Sequence, residues 1–430
     1  MNTRIISNST LPDMNLLQRF CRGQIFKQLQ GLSDAHLTIV EGDNEFTFGD
    51  IHASLQAHMH ILDADTYPHL ALGGSLGAAE AYMTGDWHSP DLTALIRVMA
   101  RNIALTNKVD DSYLNLLIKP LNRLWHLRNR NTNKGSKRNI AAHYDLGNDL
   151  FAAFLDPSMM YSAAIFPNPE ASLEEASLHK LERICQKLDL KATDHLVEIG
   201  SGWGSMAIYA AKHFGCHVTT TTISEQQYAL TAQRIAEHGL QDKITLLKED
   251  YRNLRGQFNK LVSIEMIEAV GYQFYPEYFA TLDRLLTDDG IALIQAITIS
   301  DQRYERAKHN VDFIQRYIFP GSCIPSIQAL QEAMKENSQL RLVHLEDITG
   351  HYARTLHAWR KTFTAKHTEI AHMGYDETFL RMWDFYFAYC EGGFAERIIG
   401  DVHLMYAKPR FHAQPPLGTI DASAPAYRAL

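Results

Sequence analysis

Val197-Glu198-Ile199-Gly200-Ser201-Gly202-Trp203-Gly204 identifies the architecture of the chain. An apolar run, His195–Ile199, ends in three glycines at alternate positions, and a helix-patterned run, Met206–His213, follows. Strand, glycine loop and helix in that order form a nucleotide-binding turn, because glycine permits the tight backbone and lets a ligand approach it. The spacing is Gly-x-Gly-x-Gly, not the Gly-x-Gly-x-x-Gly of dinucleotide folds, and no lysine-bearing triphosphate loop is present. Glu198 stands two residues before the first glycine, where a carboxylate accepts hydrogen bonds from an ammonium group. That suits the amino-acid end of a ligand better than a phosphate.

Outward from the loop, strands and helices alternate, the pattern of a parallel sheet covered on both faces. The expected strands are His195–Ile199, His217–Thr222, Ile244–Lys248, Leu261–Ile264 and Ile291–Ile297. Helices are expected at Met206–His213, Glu225–His238 and Tyr275–Leu286, the last ending in a turn at Thr287-Asp288-Asp289-Gly290. The second strand ends in Thr222-Ile223-Ser224 with Gln227 close behind, polar groups suited to a ribose. The third ends near Asp250-Tyr251, an acid and an aromatic placed to bracket an adenine. All lie at carboxyl ends of consecutive strands, where open α/β sheets bind ligands. An ammonium, a ribose and an adenine together make S-adenosylmethionine the expected cofactor.

At 430 residues the chain is long enough for more than one core, and 46% hydrophobic with 21% charged residues is an ordinary globular composition. A net charge of −8 gives no general reason to expect nucleic-acid binding. No apolar run approaches the ~20 residues that span a bilayer, and Met1 to Met14 has no signal-peptide core. Five scattered cysteines without a CxxC pair fit a reduced, cytoplasmic setting and argue against structural zinc; no metal site is expected. From Lys119 to Arg138 there are seven Lys or Arg residues and no acid, with Trp125 among them. Composition leaves two readings open. One is a solvated linker; the other is a patch for anionic headgroups, where each basic residue contributes roughly 1 kcal/mol.

Residues 1–115 are expected to form a small α+β domain, in lipid or dimer contact. Its hairpin is His36–Val40 with Glu45–Phe48 around Gly42-Asp43-Asn44. Ala57–Leu62 reads as a further strand, Gly73–Gly85 as a helix broken by Gly77, and Asp91–Ala104 as another helix. Residues 116–138 then read as a basic linker, 139–412 as the cofactor-binding domain, and 413–430 as a flexible tail.

From about Asn139 to Phe411 the chain resembles the cyclopropane fatty acid synthase family of methyltransferases. The matching stretches are His143-Tyr144-Asp145-Leu146-Gly147-Asn148-Asp149-Leu150-Phe151, Met160-Tyr161-Ser162, the glycine loop, Thr222-Ile223-Ser224 with Gln227, and Glu268 with Val270-Gly271. Tyr317-Ile318-Phe319-Pro320-Gly321, His351-Tyr352-Ala353-Arg354-Thr355-Leu356, and Cys390 followed by Phe394 continue the match. Glu80-Ala81-Tyr82-Met83-Thr84-Gly85-Asp86-Trp87 resembles the extra domain of bacterial and plant members. The resemblance implies a Rossmann-like class I methyltransferase domain with a seven-stranded, mostly parallel sheet. It also implies a helical acyl-binding cover from residues before His143 and between Ser300 and Met382. Tyr161, Ser162, Glu198, Gly200, Gly202, Gly204, Thr222, Ser224, Gln227, Asp250 and Tyr251 would hold the cofactor.

The implied reaction is methyl transfer to a double bond of an unsaturated fatty acyl chain in membrane phospholipid. An alkene is a poor nucleophile, so it must be held in line with the sulfonium methyl. Attack leaves positive charge that apolar and aromatic walls must tolerate while excluding water. A base then takes a proton from the delivered methyl and a cyclopropane closes. In the family that base resembles a bound bicarbonate, held by a Cys, a Glu, a His on strand five, a backbone group and a Tyr. Glu268 and Tyr352 match the Glu and Tyr, and Ile297 the backbone position. Ala163 stands at the Cys position, Gln295 at the His position, and Ala269 at the His that often follows the Glu. Ala163 removes a polar contact, so bicarbonate is left open as a partner.

Cys390 belongs with the catalytic candidates Glu268, Tyr352, Gln295 and Ile297 by resemblance. In its aromatic-rich segment it also reads as a small buried hydrophobe lining the acyl pocket, since methyl transfer needs no covalent enzyme intermediate. Glu268 has the alternative of capping a helix, and Tyr352 that of a core aromatic. Two other outcomes stand beside the cyclopropane: a methyl-branched or methylene product, and a lipid-binding protein without turnover. A homodimer and peripheral attachment to the inner face of the membrane are further expectations of the resemblance.

Overall fold

The computed structural model describes residues 14–105 and 147–412. The basic linker at 116–138, the tail at 413–430 and His143 to Leu146 lie outside the described residues.

Near the N-terminus four short strands pair in the order β2-β1-β3-β4: β1 (His36–Glu41), β2 (Asn44–Gly49), β3 (Gln56–Ile61) and β4 (Trp87–His88). The expected hairpin is β1 with β2, and its register opposes Glu41 to Asn44, so Gly42-Asp43 is a two-residue turn. Helix α1 (Leu16–Leu29), not expected from the sequence pattern, starts at a capping box between Asn15 and Gln18. The next helix, α2, spans Thr66–Thr84, longer than expected, and its break is at Gly74 (φ 58°, ψ −138°) rather than Gly77. Gly77 serves packing instead. A Cβ there would lie 2.1 Å from the His69 carbonyl oxygen, so only glycine permits the approach. Asp91 caps α3 (Leu92–Arg101) by accepting from the Ala94 amide at 2.8 Å.

The larger sheet has seven strands in the order β10-β11-β9-β8-β5-β6-β7. These are β5 (His195–Ile199), β6 (His217–Thr221), β7 (Ile244–Leu247), β8 (Phe258–Ile264), β9 (Leu286–Ile299), β10 (Arg341–Asp347) and β11 (Ile399–Ala407). Only β11 runs against its neighbours, so the sheet is mostly parallel, as expected. The turn expected at Thr287–Gly290 is instead part of β9. Chain just beyond β11 holds it extended, with Lys408 N donating to Gly290 O and Arg410 N to Asp288 O.

On the sheet's flanks pack α5 (Leu173–Lys187), α6 (Ser205–Phe214), α7 (Glu225–Glu237), α8 (Tyr275–Leu285) and α10 (Ile327–Asn337), with α4 (Asn148–Phe154) and α9 (Asp301–Ala307) beyond. The helical cover departs from expectation. Between Ser300 and Met382 the chain also supplies strand β10 and helix α10, which packs on α8. The cover proper is α4, α11 (Thr349–Ala365) and α13 (Glu377–Ala395), with short α12 (His367–His372) between the last two. Its rings interlock: Phe154 lies 5.6 Å from Trp383 and Tyr161 lies 5.2 Å from Trp359.

Helix α13 also grips the N-terminal strands and helices. Tyr82 donates to Asp384 at 2.6 Å, and the Arg381 guanidinium lies 4.3 Å over the Tyr82 ring. Arg381 also donates to the carbonyls of Tyr82 and Trp87. One apolar core therefore runs from Leu37 and Trp87 through to Trp359 and Trp383.

Candidate active site

A cavity of about 1500 Å³ opens at the carboxyl ends of the parallel strands. Its walls include Glu198, Gly200, Gly202, Thr222, Gln227, Asp250 and Tyr251 from the strand ends. They include Tyr161, Ser162, Glu265, Glu268, Ile297, Tyr352 and Cys390, and also Leu37, Met59 and Leu95 from the N-terminal strands and helices.

The glycine loop owes its shape to positive φ at Gly200 (94°), Gly202 (50°) and Gly204 (85°). The three are not equivalent. A Cβ on Gly204 would meet Thr231 Cγ2 at 2.8 Å, so this glycine seats the loop on α7 and does not border the cavity. A Cβ on Gly202 would meet nothing within 4 Å, leaving bare backbone facing open space. Glu198 is buried and accepts from the Thr220 hydroxyl at 2.5 Å. Burial pushes its carboxyl up to about 8.

Thr222 donates to Gln227 Oε1 at 2.9 Å, tying the end of β6 to α7. Ser224, expected at the cofactor, instead caps α7 by accepting from the Gln227 amide at 3.2 Å, and it does not border the cavity. Asp250 accepts from the Arg252 guanidinium at 2.8 and 2.7 Å and from the Arg252 amide at 3.1 Å. The buried Tyr251 hydroxyl has no hydrogen-bond partner among the described residues.

Deeper in the cavity the chain gathers buried acids. Glu268 Oε1 accepts from the Ile297 amide at 2.5 Å. Its carboxyl is pushed up to about 8, by burial first and then by the charge of Glu265. Glu268 sits inside a short turn (Ile267–Ala269) and caps no helix.

Tyr352 is engaged by a second carboxyl group. Its hydroxyl donates to Glu265 Oε2 at 2.7 Å while its ring stacks 4.4 Å from Phe394. Gln295 is fully buried and does not border the cavity, because β9 turns it beneath the site. There it donates to Glu265 Oε1 at 2.7 Å and to Asp401 Oδ2 at 3.0 Å, and its Oε1 lies 3.2 Å from His403 Nε2. Burial pushes the Cys390 thiol far up, which fits an apolar wall rather than a thiolate.

Glu265, Lys180, Asp401 and His403 were not among the sequence candidates. Glu265 follows directly on β8, much as Glu198 stands near the end of β5. Lys180 is buried within α5 and donates to Ser162 Oγ at 2.5 Å. Burial pushes it down to about 8.

The family model described as mycolic acid cyclopropane synthetase matches residues 131–404. The chain belongs to the cyclopropane fatty acid synthase family. A tuberculostearic acid methyltransferase of Mycobacterium tuberculosis is 39% identical over 328 residues, 75% of this chain and 76% of that protein. A cyclopropane-fatty-acyl-phospholipid synthase of Escherichia coli K12 is 35% identical over 350 residues, 81% of this chain and 87% of that one. The solved structure of a mycolic acid cyclopropane synthase, in complex with SAH and CTAB, is 28% identical. It superposes with a TM-score of 0.59 over 63% of this chain and 98% of its own. This family member is an S-adenosylmethionine-dependent methyltransferase with a class I fold.

The site discriminates between two groups that the resemblance implies. S-adenosylmethionine fits: Gly202 leaves bare backbone, Glu198 offers a buried carboxylate, and Tyr251 a hydroxyl without a partner among the described residues. Bicarbonate does not. The Ala163 amide, the Gln295 amide nitrogen and the Tyr352 hydroxyl all donate to Glu265, and the Ile297 amide donates to Glu268. These four donors are each engaged by a carboxyl group of the chain itself, and of this set Glu268 Oε2 alone has no partner among the described residues.

Proposed function

We propose that the protein transfers the methyl group of S-adenosylmethionine to a double bond of a fatty acyl chain in membrane phospholipid, forming a cyclopropane. Its main support is one cavity that joins the glycine loop to an apolar chamber with buried carboxyl groups on its wall. When bound, the cofactor supplies an electrophilic methyl on a sulfonium. Glu198 receives the ammonium end; Gly200 and Gly202 give their bare backbone. Thr222, Gln227, Asp250 and Tyr251 bound the space for the adenosine. Tyr161, Phe319, Tyr386 and Phe394 line the chamber, exclude water and offer ring faces to a developing positive charge. Leu37, Met59 and Leu95 extend the apolar wall toward an acyl chain.

Among the described residues no helix is long and apolar enough to cross a membrane. We place access to phospholipid at the bilayer surface. Leu16, Leu17 and Phe20 of α1 support that contact, being 86%, 52% and 55% exposed.

The names of the relatives speak of methyl transfer in one case and cyclopropane synthesis in the other. A methyl-branched or methylene product is accordingly the second reading. Expression in bacteria rich in cis-unsaturated lipid, and lacking such a synthase, tests both through fatty acid methyl esters. A new ester one methylene heavier than its unsaturated parent is expected, with high-field ring protons by NMR. Olefinic branch signals would favour the second reading, and an unchanged acyl profile would overturn the substrate assignment.

A further inference from the structure

We propose that the Glu265 carboxylate is the base of the reaction, built into the chain where a bound anion would otherwise sit. Three separate segments aim a donor at this one group. The Ala163 amide donates to Oε1 at 2.8 Å, Gln295 Nε2 to Oε1 at 2.7 Å, and the Tyr352 hydroxyl to Oε2 at 2.7 Å. Backbone and side-chain amides do not titrate here, and burial with the Glu265 charge pushes the Tyr352 hydroxyl well above its ordinary range. These three donors orient an anion without protonating it.

The counter-charge is Lys180, which lies beneath the site and favours the ionised form of Glu265. Burial first, and then the neighbouring Glu265 and Glu268, push the Asp401 carboxyl well above the usual carboxylate range, which favours its neutral form beside Glu265. Burial meanwhile raises the basicity of Glu265, as suits a proton acceptor.

The backbone points the same way. Glu265 has φ 45°, in the left-handed region that non-glycine residues rarely adopt, and so turns off the end of β8 into the cavity wall. A planar carboxylate and bicarbonate present the same pair of oxygens on one carbon. Gln295 and Tyr352, which resemblance assigns to the anion, are thereby engaged without one. Gln295, Lys180 and Tyr352 are positioning residues; Glu265 is the catalytic residue.

The proton step rests on the methyl transfer proposed above. The alkene π pair forms a bond to the methyl carbon as the carbon–sulfur bond breaks, which yields S-adenosylhomocysteine and a positive charge on the adjacent acyl carbon. Glu265 takes one proton from the new methyl, and the C–H electron pair closes the ring onto that carbon. Removal of a proton from a neighbouring acyl carbon by the same oxygen gives the unsaturated branched product. In either case the protonated Glu265 then returns its proton to solvent, and no oxidant or further reactant is required.

The test uses the full-length protein in buffer freed of carbon dioxide, with dioleoylphosphatidylglycerol vesicles and release of S-adenosylhomocysteine as readout. Wild-type turnover should not change when sodium bicarbonate is added. Glu265→Gln should lose roughly 100-fold or more while keeping its melting temperature and its affinity for S-adenosylhomocysteine. Glu265→Gly, tolerated at φ 45°, should be equally slow but regain rate with bicarbonate or formate in the vacated space. A wild type accelerated by bicarbonate, or a Glu265→Gln variant within about tenfold of wild type, overturns the proposal. Carbon-13 NMR of labelled bicarbonate decides it without any acyl substrate: binding is expected to Glu265→Gly and not to wild type, and stoichiometric binding to wild type overturns it. Wild type that releases nothing on vesicles counts against the phospholipid substrate alone, since the bicarbonate measurement still reports on Glu265.

Discussion

Burial sets the charge state of Glu198: its carboxyl rises to about 8 and is largely protonated near neutral pH. An ammonium group bonded there favours the ionised form, so cofactor binding should release a proton. The sign follows from linkage. Because the free site holds more protons than the loaded one, affinity should rise with pH between about 6 and 8, then level off. Titration calorimetry of S-adenosylhomocysteine in buffers of different ionisation enthalpy checks this, and a heat independent of buffer would refute it. Glu198→Gln should weaken binding about 10- to 100-fold, the worth of a charge-assisted hydrogen bond. At this scale the placement of Glu198, Gly202 and Tyr251 along the cavity could be read from sequence, because each lies in or just before the loop that follows a parallel strand. The placement of Glu265 could not be, although it also follows a strand. What distinguishes it is the convergence of Ala163, Gln295 and Tyr352, which are 102, 30 and 87 residues away in the chain.

The strand–loop–helix unit separates two uses of glycine. Gly204→Ala puts a methyl 2.8 Å from Thr231 Cγ2 at φ 85°, and should cost about 1–3 kcal/mol of stability. Denaturant unfolding measures that loss. Gly202→Ala meets no neighbour, so its strain should be about 1 kcal/mol, with the larger effect falling on cofactor affinity. If both variants lost stability alike with affinity intact, the loop would be only a structural turn. Strand β5 and helices α6 and α7 were readable to within a residue or two, because local periodicity fixes them. Strands β10 and β11 escaped notice. β10 is a largely exposed edge whose half-buried positions are His344 and Glu346, and β11 is buried over most of its length, so neither shows an apolar–polar alternation.

Over the whole molecule, the N-terminal elements reach the active site through helix α13. A Cβ on Gly392 would lie 2.6 Å from Ile96 Cγ2 and 3.1 Å from its Cβ, so α3 and α13 touch almost backbone to side chain. Alanine gains roughly 1 kcal/mol in an open helix, yet overpacking costs about 1–3 kcal/mol. At this contact the second effect should win. Gly392→Ala is expected to lower the melting temperature, and Ile96→Ala in the same chain to recover part of the loss. A stabilised single variant would mean that the two helices part freely. The linkage matters for function because Tyr317 donates to Glu80 at 2.7 Å, joining a segment near the cavity wall to α2.

The cofactor half of this protein could be read from the order of its residues. A glycine loop, its flanking strand and helix, and the strand-end acids are local features, written within a few residues of one another. The reacting half emerged only on folding. Three-dimensional packing set Tyr352 against Glu265, put Gln295 beneath the cavity rather than in it, and made Ser224 a helix cap. Those outcomes depend on which of several buried carboxyl groups lies within hydrogen-bond reach, a matter of a few ångströms between segments far apart in the chain. No periodicity or spacing records that distance.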